Sequence, residues 1–364
     1  MIPLFKVHMP SDVMAPLQET LFSGYIGEGP RVKDFEAALA AYVGNPNVLT
    51  LNSGTSAIQL ALRLANVGPG DEVISTSMTC TASNEPIMAA GARIVWADID
   101  PGSGNIDPAT IEAKITPRTR AIVVVDWGGY PVDLDEVMAI AARHGLKVIE
   151  DAAHAFGAEY KGTRTGCHAD FVCFSFQAIK HITTVDGGAL FCRSEADCKR
   201  GRLLRWYGID RDQPRKDFRC EEDIVEWGYK FHMNDVNATI GLVQLKYLDG
   251  ILKQRRELAA YYDRELAGAR GARLCSWKAD RVSAFWLYTI LVENRQAFMN
   301  WMKECNIAVS QVHARNDKHT MFKDFRAPLP GVDQFTRDMV CIPIGFWIGK
   351  EEREHIVASI KQGW

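Results

Sequence analysis

Val148-Ile149-Glu150-Asp151-Ala152-Ala153-His154 is an apolar run that ends in two carboxylates, two small residues and an imidazole. Such a run predicts a buried strand with polar residues at its carboxyl end. Ligands of open α/β sheets bind outside the carboxyl ends of the strands. A carboxylate there suits a buried cation such as a pyridinium nitrogen, and small residues beside it let a flat ring lie against the backbone. An acid that only caps the next turn fits the stretch equally well.

Short apolar runs alternate with helical patterns on both sides of this stretch. The alternation predicts an α/β fold with a mostly parallel sheet and helices on both faces. The predicted strands cover residues 48–51, 72–76, 93–97, 121–125, 146–150, 171–175 and 189–192. The predicted helices cover residues 31–43, 56–64, 82–90 and 134–143, the first of them ended by Gly44. Ser11 is expected to be the N-cap of an earlier helix.

The last third of the chain has a different pattern. Residues 234–247 and 251–267 predict a long helix that bridges to a smaller domain. The patterns that follow are strands at 283–291 and 307–313 and helices at 295–305 and 350–361. We therefore expect a large domain over residues 1–249 and a small domain over residues 250–364.

The composition of the 364 residues is that of an ordinary globular protein, with 47% hydrophobic and 24% charged side chains. The formal net charge of −3 gives no support to nucleic-acid binding. No stretch approaches the apolar length that spans a bilayer, and the first residues lack a signal-peptide pattern. The nine cysteines are scattered without the spacing of metal ligands. These features predict a cytoplasmic protein with reduced thiols, no metal and no membrane partner.

Asn52-Ser53-Gly54-Thr55-Ser56-Ala57 follows a predicted strand and opens a predicted helix. Free backbone N–H groups and the helix dipole make a helix N-terminus an anion-binding site. Gly54 lets the backbone approach a ligand closely, and the hydroxyls of Thr55 and Ser56 add donors. Taken alone, the stretch also fits an ordinary Ser/Thr cap.

Lys180 is set among apolar and small residues directly after a predicted strand. A lysine loses its charge more readily than an arginine when it is buried, which suits Schiff-base chemistry, although a lone lysine usually lies on the surface. The three motifs supply, in chain order, a phosphate cradle, a carboxylate for a pyridinium nitrogen and an imine-forming lysine. Pyridoxal 5′-phosphate (PLP) needs all three. The sequence therefore predicts a PLP enzyme whose Schiff-base lysine is Lys180.

The same motifs resemble those of the DegT/StrS-type sugar aminotransferases, which have the aspartate-aminotransferase fold (PLP fold type I). The motifs that carry the resemblance are, in chain order, Ser23-Gly24-Tyr25-Ile26-Gly27-Glu28-Gly29-Pro30, Ser53-Gly54-Thr55, Pro69-Gly70-Asp71-Glu72-Val73, Glu150-Asp151-Ala152-Ala153-His154, Ser175-Phe176 with Lys180, and Gly228-Tyr229. The resemblance covers nearly the whole chain. It implies an α/β large domain with a mostly parallel seven-stranded sheet, and a smaller α+β C-terminal domain.

The resemblance also implies roles for individual residues. Lys180 would bind the cofactor as an internal aldimine and then move a proton between Cα and C4′. Asp151 would pair with the pyridine nitrogen, His154 would lie near the phenolic oxygen, and Ala153 would lie against one ring face. The residues that would hold the phosphate are Thr55, Ser56 and Ser175.

The chain departs from the family pattern at four places. Cys80 stands where the family usually has an aromatic residue that stacks on the ring. Lys230, in the segment 228–234 that the partner subunit would contribute, stands where an asparagine is common. The family's Gly-Glu-Gly-Gly loop is Val185-Asp186-Gly187-Gly188 here. The segment 311–317 is also unlike the family's, and its candidates for a substrate contact are His313 and Arg315.

By resemblance, the chain would form homodimers with shared active sites, with a tetramer as the open alternative. It would transfer the amino group of L-glutamate to a nucleotide-linked keto sugar, often at C4 of a 4-keto-6-deoxyhexose, in amino-sugar biosynthesis. A cyclitol ketone or an aromatic precursor is an alternative acceptor. Relatives that dehydrate sugars have histidine at the lysine position, whereas this chain has Lys180 with His181 after it. A non-catalytic PLP-binding regulator is the remaining alternative.

Overall fold

A seven-stranded sheet forms the centre of the computed structural model, which describes residues 1–211 and 223–364. The strands before residue 200 are β1 (Val48–Leu51), β2 (Glu72–Thr76), β3 (Arg93–Ala97), β4 (Thr119–Val125), β5 (Lys147–Asp151), β6 (Glu159–Tyr160), β7 (Thr163–Arg164), β8 (Phe171–Ser175) and β9 (Gly188–Cys192). The sheet order is β1-β9-β8-β5-β4-β2-β3. β9 is antiparallel to both neighbours, and the other neighbouring pairs are parallel. The predicted α/β fold with a mostly parallel seven-stranded sheet is confirmed.

Helices cover the sheet, and β1, β2 and β9 are buried along their whole length. The helices of this part are α1 (Met14–Phe22), α2 (Pro30–Val43), α3 (Gly54–Leu64), α4 (Thr81–Ala89), α5 (Leu134–His144), α6 (Glu195–Leu204) and α7 (Asp235–Leu245). Gly44 ends α2 with a left-handed backbone, as predicted. α3 packs against β8 and β9, so its N-terminus lies at the carboxyl end of β8.

The C-terminal part has its own three-stranded antiparallel sheet. Its helices and strands are α8 (Leu248–Leu266), β10 (Ala272–Leu274), β11 (Arg281–Val282), β12 (Tyr288–Val292), α9 (Arg295–Glu304), α10 (Pro330–Asp338), β13 (Met339–Ile342) and α11 (Lys350–Gln362). The sheet order is β10-β12-β13, and β11 pairs instead with β6. The predicted domain boundary at 249/250 falls in the first turn of α8 and stays a prediction.

Three local predictions were wrong. Ser11 is the first residue of a short 3₁₀ turn that follows Pro10, and it makes no side-chain cap. The predicted long helix is two helices, α7 and α8. Residues 307–313 make only isolated bridges, because the His313 N–H donates to the Gln311 carbonyl across Val312, whose φ is +63°. This turn breaks the extended backbone that a strand needs.

The strand predicted at 283–291 begins only at Tyr288. The residues before it donate instead to a tight turn after β4: the N–H of Ala284 donates to the Gly129 carbonyl, and that of Leu287 donates to the Gly128 carbonyl. Phe285 between them has a φ of +47°. Residues 283–287 are therefore buried or half-buried beside this turn, and they do not form an extended strand.

No helix among residues 1–211 and 223–364 combines the length and the apolar character needed to cross a membrane.

Candidate active site

Three segments meet at the carboxyl ends of the parallel strands and enclose a cavity of about 240 Å³. They are the N-terminus of α3, the end of β5 and the segment that follows β8. Because β5 and β8 are neighbours in the sheet, Asp151 and the segment carrying Lys180 come to the same edge. The predicted site residues that line the cavity are Thr55, Cys80, Asp151, His154, Ser175 and Lys180. Ala153 lines it as well.

The N-terminus of α3 is held tightly against β8. The Ser53 hydroxyl caps the helix by accepting the Ser56 N–H at 3.0 Å. A Cβ on Gly54 would lie 2.9 Å from the Cβ of Ser175, so only glycine fits here without a shift. Thr55 and Ser175 face the cavity, whereas the Ser56 hydroxyl pairs with that of Ser53 at 2.9 Å. The first N–H groups of the helix lack intrahelical partners and can bind an anion.

Asp151 is buried at the end of β5 and is oriented by two donors. The Ser83 hydroxyl donates to Oδ2 at 2.5 Å, and the Ala153 N–H donates to Oδ1 at 3.1 Å. The hydroxyl of Thr79 pairs with that of Ser83 at 2.7 Å. Burial raises the pKa of Asp151, while the two donors and the charge of Lys180 oppose the rise. A buried carboxylate of this kind is stabilised by a cationic partner.

Lys180 loses its proton more readily than an ordinary lysine. Burial lowers its pKa to about 8, and the carboxylate of Asp151 and Cys80 oppose the fall. Its Nζ lies 3.8 Å from the centroid of the Trp286 ring. The Trp286 indole N–H in turn donates to the Ile179 carbonyl at 2.9 Å. The amine is therefore held in place beside the cavity in a form that can act as a nucleophile.

Aromatic and imidazole rings form one wall of the cavity. His154 stacks on Trp286 with centroids 3.9 Å apart, and His313 lies parallel to His154 at 5.8 Å. Trp127 meets both imidazoles edge-on. Burial lowers the pKa of His154 well below its usual value and that of His313 to about 4. Both rings are therefore neutral near pH 7, and they line the cavity without adding charge.

Of the two substrate-contact candidates in the segment 311–317, only His313 lines the cavity. The Arg315 guanidinium is turned toward acids, with its Nε 2.7 Å from Asp317 and a second contact to Asp333. Asn316 anchors the segment, because its buried amide donates to the Thr79 carbonyl at 2.7 Å.

Lys230 lies outside the cavity of its own chain. Its Nζ is 4.2 Å from the centroid of the Trp206 ring, and its carbonyl accepts from the Asn52 amide at 3.5 Å. The prediction that Lys230 reaches the phosphate from a partner subunit stays a prediction. Cys80 lines the cavity at the start of α4. The rings that line the cavity are those of His154, Trp286 and His313.

The site contains three residues that were not predicted from the sequence, namely Trp286, Ser83 and Thr79. Trp286 falls inside a segment that the pattern assigned to a strand, so nothing marked it as part of a site. Thr79 and Ser83 carried a usable signal, because hydroxyl side chains four residues apart after a strand can share one face of a helix start. Only the fold shows that this face meets Asp151.

The donor set fits PLP. The N-terminus of α3 offers N–H groups for a phosphate, Asp151 offers a buried carboxylate for a ring nitrogen, and Lys180 offers an amine of lowered pKa for an aldehyde. Within the described ranges, no group of three or more His, Cys, Asp or Glu side chains is placed to hold a metal ion.

Comparisons with known proteins show the family to which the chain belongs. The model of the DegT/DnrJ/EryC1/StrS aminotransferase family matches residues 8–361. The sugar aminotransferase CalS13 from Micromonospora echinospora is 42% identical, with a TM-score of 0.97 and 100% of both chains covered. AtS13 from Actinomadura melliaura is 45% identical, with a TM-score of 0.97, 100% of this chain covered and 99% of AtS13.

A further relative is the spore coat polysaccharide biosynthesis protein SpsC of Bacillus subtilis. It is 33% identical over 359 residues, which are 94% of this chain and 92% of SpsC. DegT/StrS aminotransferases use PLP, the cofactor that the donor set fits. The chain therefore belongs to the DegT/DnrJ/EryC1/StrS family of PLP-dependent aminotransferases.

Proposed function

We propose that the chain is a sugar aminotransferase of amino-sugar biosynthesis, which transfers the amino group of L-glutamate to a nucleotide-linked 4-keto-6-deoxyhexose. The observation that carries the proposal is the position of the Lys180 amine, the Asp151 carboxylate and the α3 N-terminus around one cavity. The similarity to CalS13, a sugar aminotransferase, and to SpsC, a polysaccharide biosynthesis protein, supports a sugar as the acceptor.

Each residue has a proposed task. When bound, PLP supplies an electron sink for the carbanion at Cα and carries the amino group between two substrates. Lys180 holds the cofactor and moves the proton at Cα as general base and acid. Asp151 keeps the ring nitrogen protonated, and Thr55 and Ser175 bind the phosphate with the N–H groups of α3. Ser56 supports them by pairing with the cap of that helix.

Ala153 would lie against one face of the ring and His154 near its phenolic oxygen, since both line the cavity beside Lys180. Cys80 takes the position of the usual stacking residue, and its polarizable sulfur would contact the ring edge. The proposed enzyme is a cytoplasmic homodimer in which Lys230 of one subunit serves the site of the other. The large exposed side chains of Phe22, Tyr25 and Trp227, with 84%, 67% and 59% exposure, suit coverage by a second subunit.

Transamination is favoured over dehydration by the position of His181. Its Nε2 pairs with the Ala284 carbonyl at 2.9 Å, and the ring does not line the cavity. The group beside the cavity that can attack an aldehyde is therefore Lys180, as an aminotransferase requires. A cyclitol ketone or an aromatic precursor stays an alternative acceptor.

The proposal is tested with UDP-, GDP- and dTDP-linked 4-keto sugars, each incubated with glutamate and followed by mass spectrometry. One of them should give the amino sugar together with 2-oxoglutarate. Double-reciprocal plots should be parallel, because the cofactor carries the amino group between two half-reactions. Amination of a cyclitol ketone with no turnover of any nucleotide sugar, or intersecting plots, would overturn the proposal.

The lowered pKa of Lys180 predicts how fast the cofactor-free protein takes up PLP. With a pKa of about 8, the neutral fraction of the amine, and with it the uptake rate, should rise about tenfold between pH 7 and pH 9 and then level off. Stopped-flow absorbance measures this rate. A rise of about a hundredfold with no plateau would instead indicate a lysine of ordinary pKa.

A further inference from the structure

Two buried carboxyl groups, those of Asp126 and Glu150, face each other on the side of the sheet away from the cavity. Glu150 precedes Asp151 in β5, and successive side chains of a strand point to opposite faces. Asp126 follows Val125, the partner of Asp151 in the β4–β5 register. Both acids are 0% exposed. The catalytic roles proposed above use neither of them.

The two acids have few partners other than each other. Asp126 Oδ1 accepts the Val132 N–H at 3.0 Å, and the carboxyl groups of Asp126 and Glu150 lie close enough to hydrogen-bond each other once one of them is protonated. Across the described residues, Asp126 Oδ2 and both Glu150 oxygens have no donor. Two carboxylates cannot hydrogen-bond each other unless one of them holds a proton. Two unpaired negative charges at this depth would also cost several kcal/mol.

The charged and titratable groups around the pair do not compensate two negative charges, so one of the two acids still needs a proton. Those that act on it are Asp151, the Cys167 thiol and the Arg281 guanidinium. Burial raises the pKa of Glu150 well above its usual value, and Asp126 raises it further. Burial also raises the pKa of Asp126, while the hydrogen bond from Glu150 opposes the rise. Asp126 accepts a backbone N–H whereas the Glu150 oxygens accept none, so the geometry favours Glu150 as the donor and Asp126 as the acceptor.

We propose that Glu150 and Asp126 share one proton and act as a positioning pair for Asp151 and for the wall of the cavity. The Asp126 N–H donates to the Asp151 carbonyl at 3.2 Å. The Gly129 N–H donates to the Asp126 carbonyl at 3.1 Å. The Gly129 carbonyl in turn accepts the N–H of Ala284, which lies two residues before Trp286. The backbone of Asp126 thus joins the strand end that carries Asp151 to the turn beside Trp286, and the side chain of Asp126, held by the Val132 N–H and by Glu150, fixes that backbone.

The inference rests on the proposed role of Asp151 toward the cofactor. The pair keeps a single negative charge behind Asp151 and holds the backbone at both sides of it. Replacing Glu150 by glutamine preserves this arrangement, because the amide N–H can donate to Asp126 as the proton does now. Replacing Glu150 by leucine removes the donor and leaves Asp126 buried beside an apolar group.

The shared proton is tested by infrared difference spectroscopy of the holoenzyme at pH 7. The wild type should show the carbonyl-stretch band of a protonated carboxylic acid that resists solvent exchange, and Glu150→Gln should lose that band. Glu112→Gln, at an exposed acid, should leave it unchanged. Absence of the band in the wild type, or its survival in Glu150→Gln, would overturn the proposal. Neither result depends on substrate or turnover, so the proposed function is tested separately.

The dependence of unfolding on pH gives a second readout. An acid whose pKa is raised by folding adds stability at low pH, and this stability is lost as the pH rises through the folded pKa, here about 7 for Asp126. The wild type should therefore lose thermal stability between about pH 4 and pH 7, and Glu150→Gln should lose less of it. Equal losses in both proteins would contradict a shared proton.

The positioning role is tested by the cofactor itself. Glu150→Leu should weaken PLP binding by about tenfold and shift the pH dependence of the cofactor's visible absorbance, whereas Glu150→Gln should bind within about threefold of the wild type. If Glu150→Leu loses stability but keeps the wild-type affinity and absorbance profile, the pair has only a structural role and the proposal fails.

Discussion

Replacing Lys180 by alanine should abolish transamination, with kcat falling by more than about 10⁴-fold. The side chain supplies both the covalent anchor of the cofactor and the group that moves the proton at Cα. Among the described residues of its own chain no second amine can take over, because the other side chains that line the cavity are acids, imidazoles, hydroxyls, a thiol, an amide and apolar groups. The purified variant should also lack the visible absorbance of lysine-bound PLP.

Two control variants make this result specific. Lys180→Arg keeps a positive charge but cannot lose its proton, so it should be as inactive as Lys180→Ala. Lys199→Ala removes an exposed lysine that pairs with Glu195, and it should keep the wild-type rate. A Lys180→Ala enzyme that turns over within about tenfold of the wild type would refute the assignment.

Replacing Asp151 by asparagine should lower kcat by about 10² to 10³-fold, the usual cost of removing one electrostatic contact to the reacting group. Asparagine has nearly the same shape but carries no charge, so the ring nitrogen of PLP would lose the partner that keeps it protonated. The cofactor should still be retained by Lys180 and the N-terminus of α3. Stopped-flow measurement of each half-reaction would detect the loss in both directions.

Ser83→Ala is the matched control for this prediction. It removes the hydroxyl that donates to Asp151 at 2.5 Å and leaves the carboxylate in place. The loss of that donor should raise the pKa of Asp151 further and reduce the rate by about tenfold, well short of the effect of Asp151→Asn. If Asp151→Asn behaves like Ser83→Ala, the charge of Asp151 does not contribute as proposed.

The sheet could be predicted from the sequence because most residues of its strands are buried and because short apolar runs such as residues 122–125 mark its central strands. The strand predicted at 283–291 begins only at Tyr288, because Ala284 and Leu287 donate to the distant Gly129 and Gly128 carbonyls instead of to a neighbouring strand. A local alternation of polar and apolar residues does not identify such a partner. The prediction that Ser11 is an N-cap was wrong for a local reason, because the 3₁₀ turn begins at Ser11 itself, directly after Pro10.

The active site was predictable where one short motif carried the chemistry. Asp151 and Lys180 follow strands, and the topology brings the ends of these strands together. Trp286 and the pair formed by Asp126 and Glu150 were not predictable, because their places depend on contacts between segments far apart in the chain. Lys230 lies outside the cavity of its own chain, and its proposed role depends on a second subunit.

The central claim is that PLP is bound covalently to Lys180, and borohydride reduction followed by peptide mapping tests it most directly. Reduction fixes the cofactor on whichever lysine holds it, and mass spectrometry of the digest identifies that residue. We expect the pyridoxyl group on the peptide that contains Lys180, and no label on that peptide when glutamate is added before the reduction. A label on any other lysine, or no label at all on the PLP-loaded protein, would contradict the account.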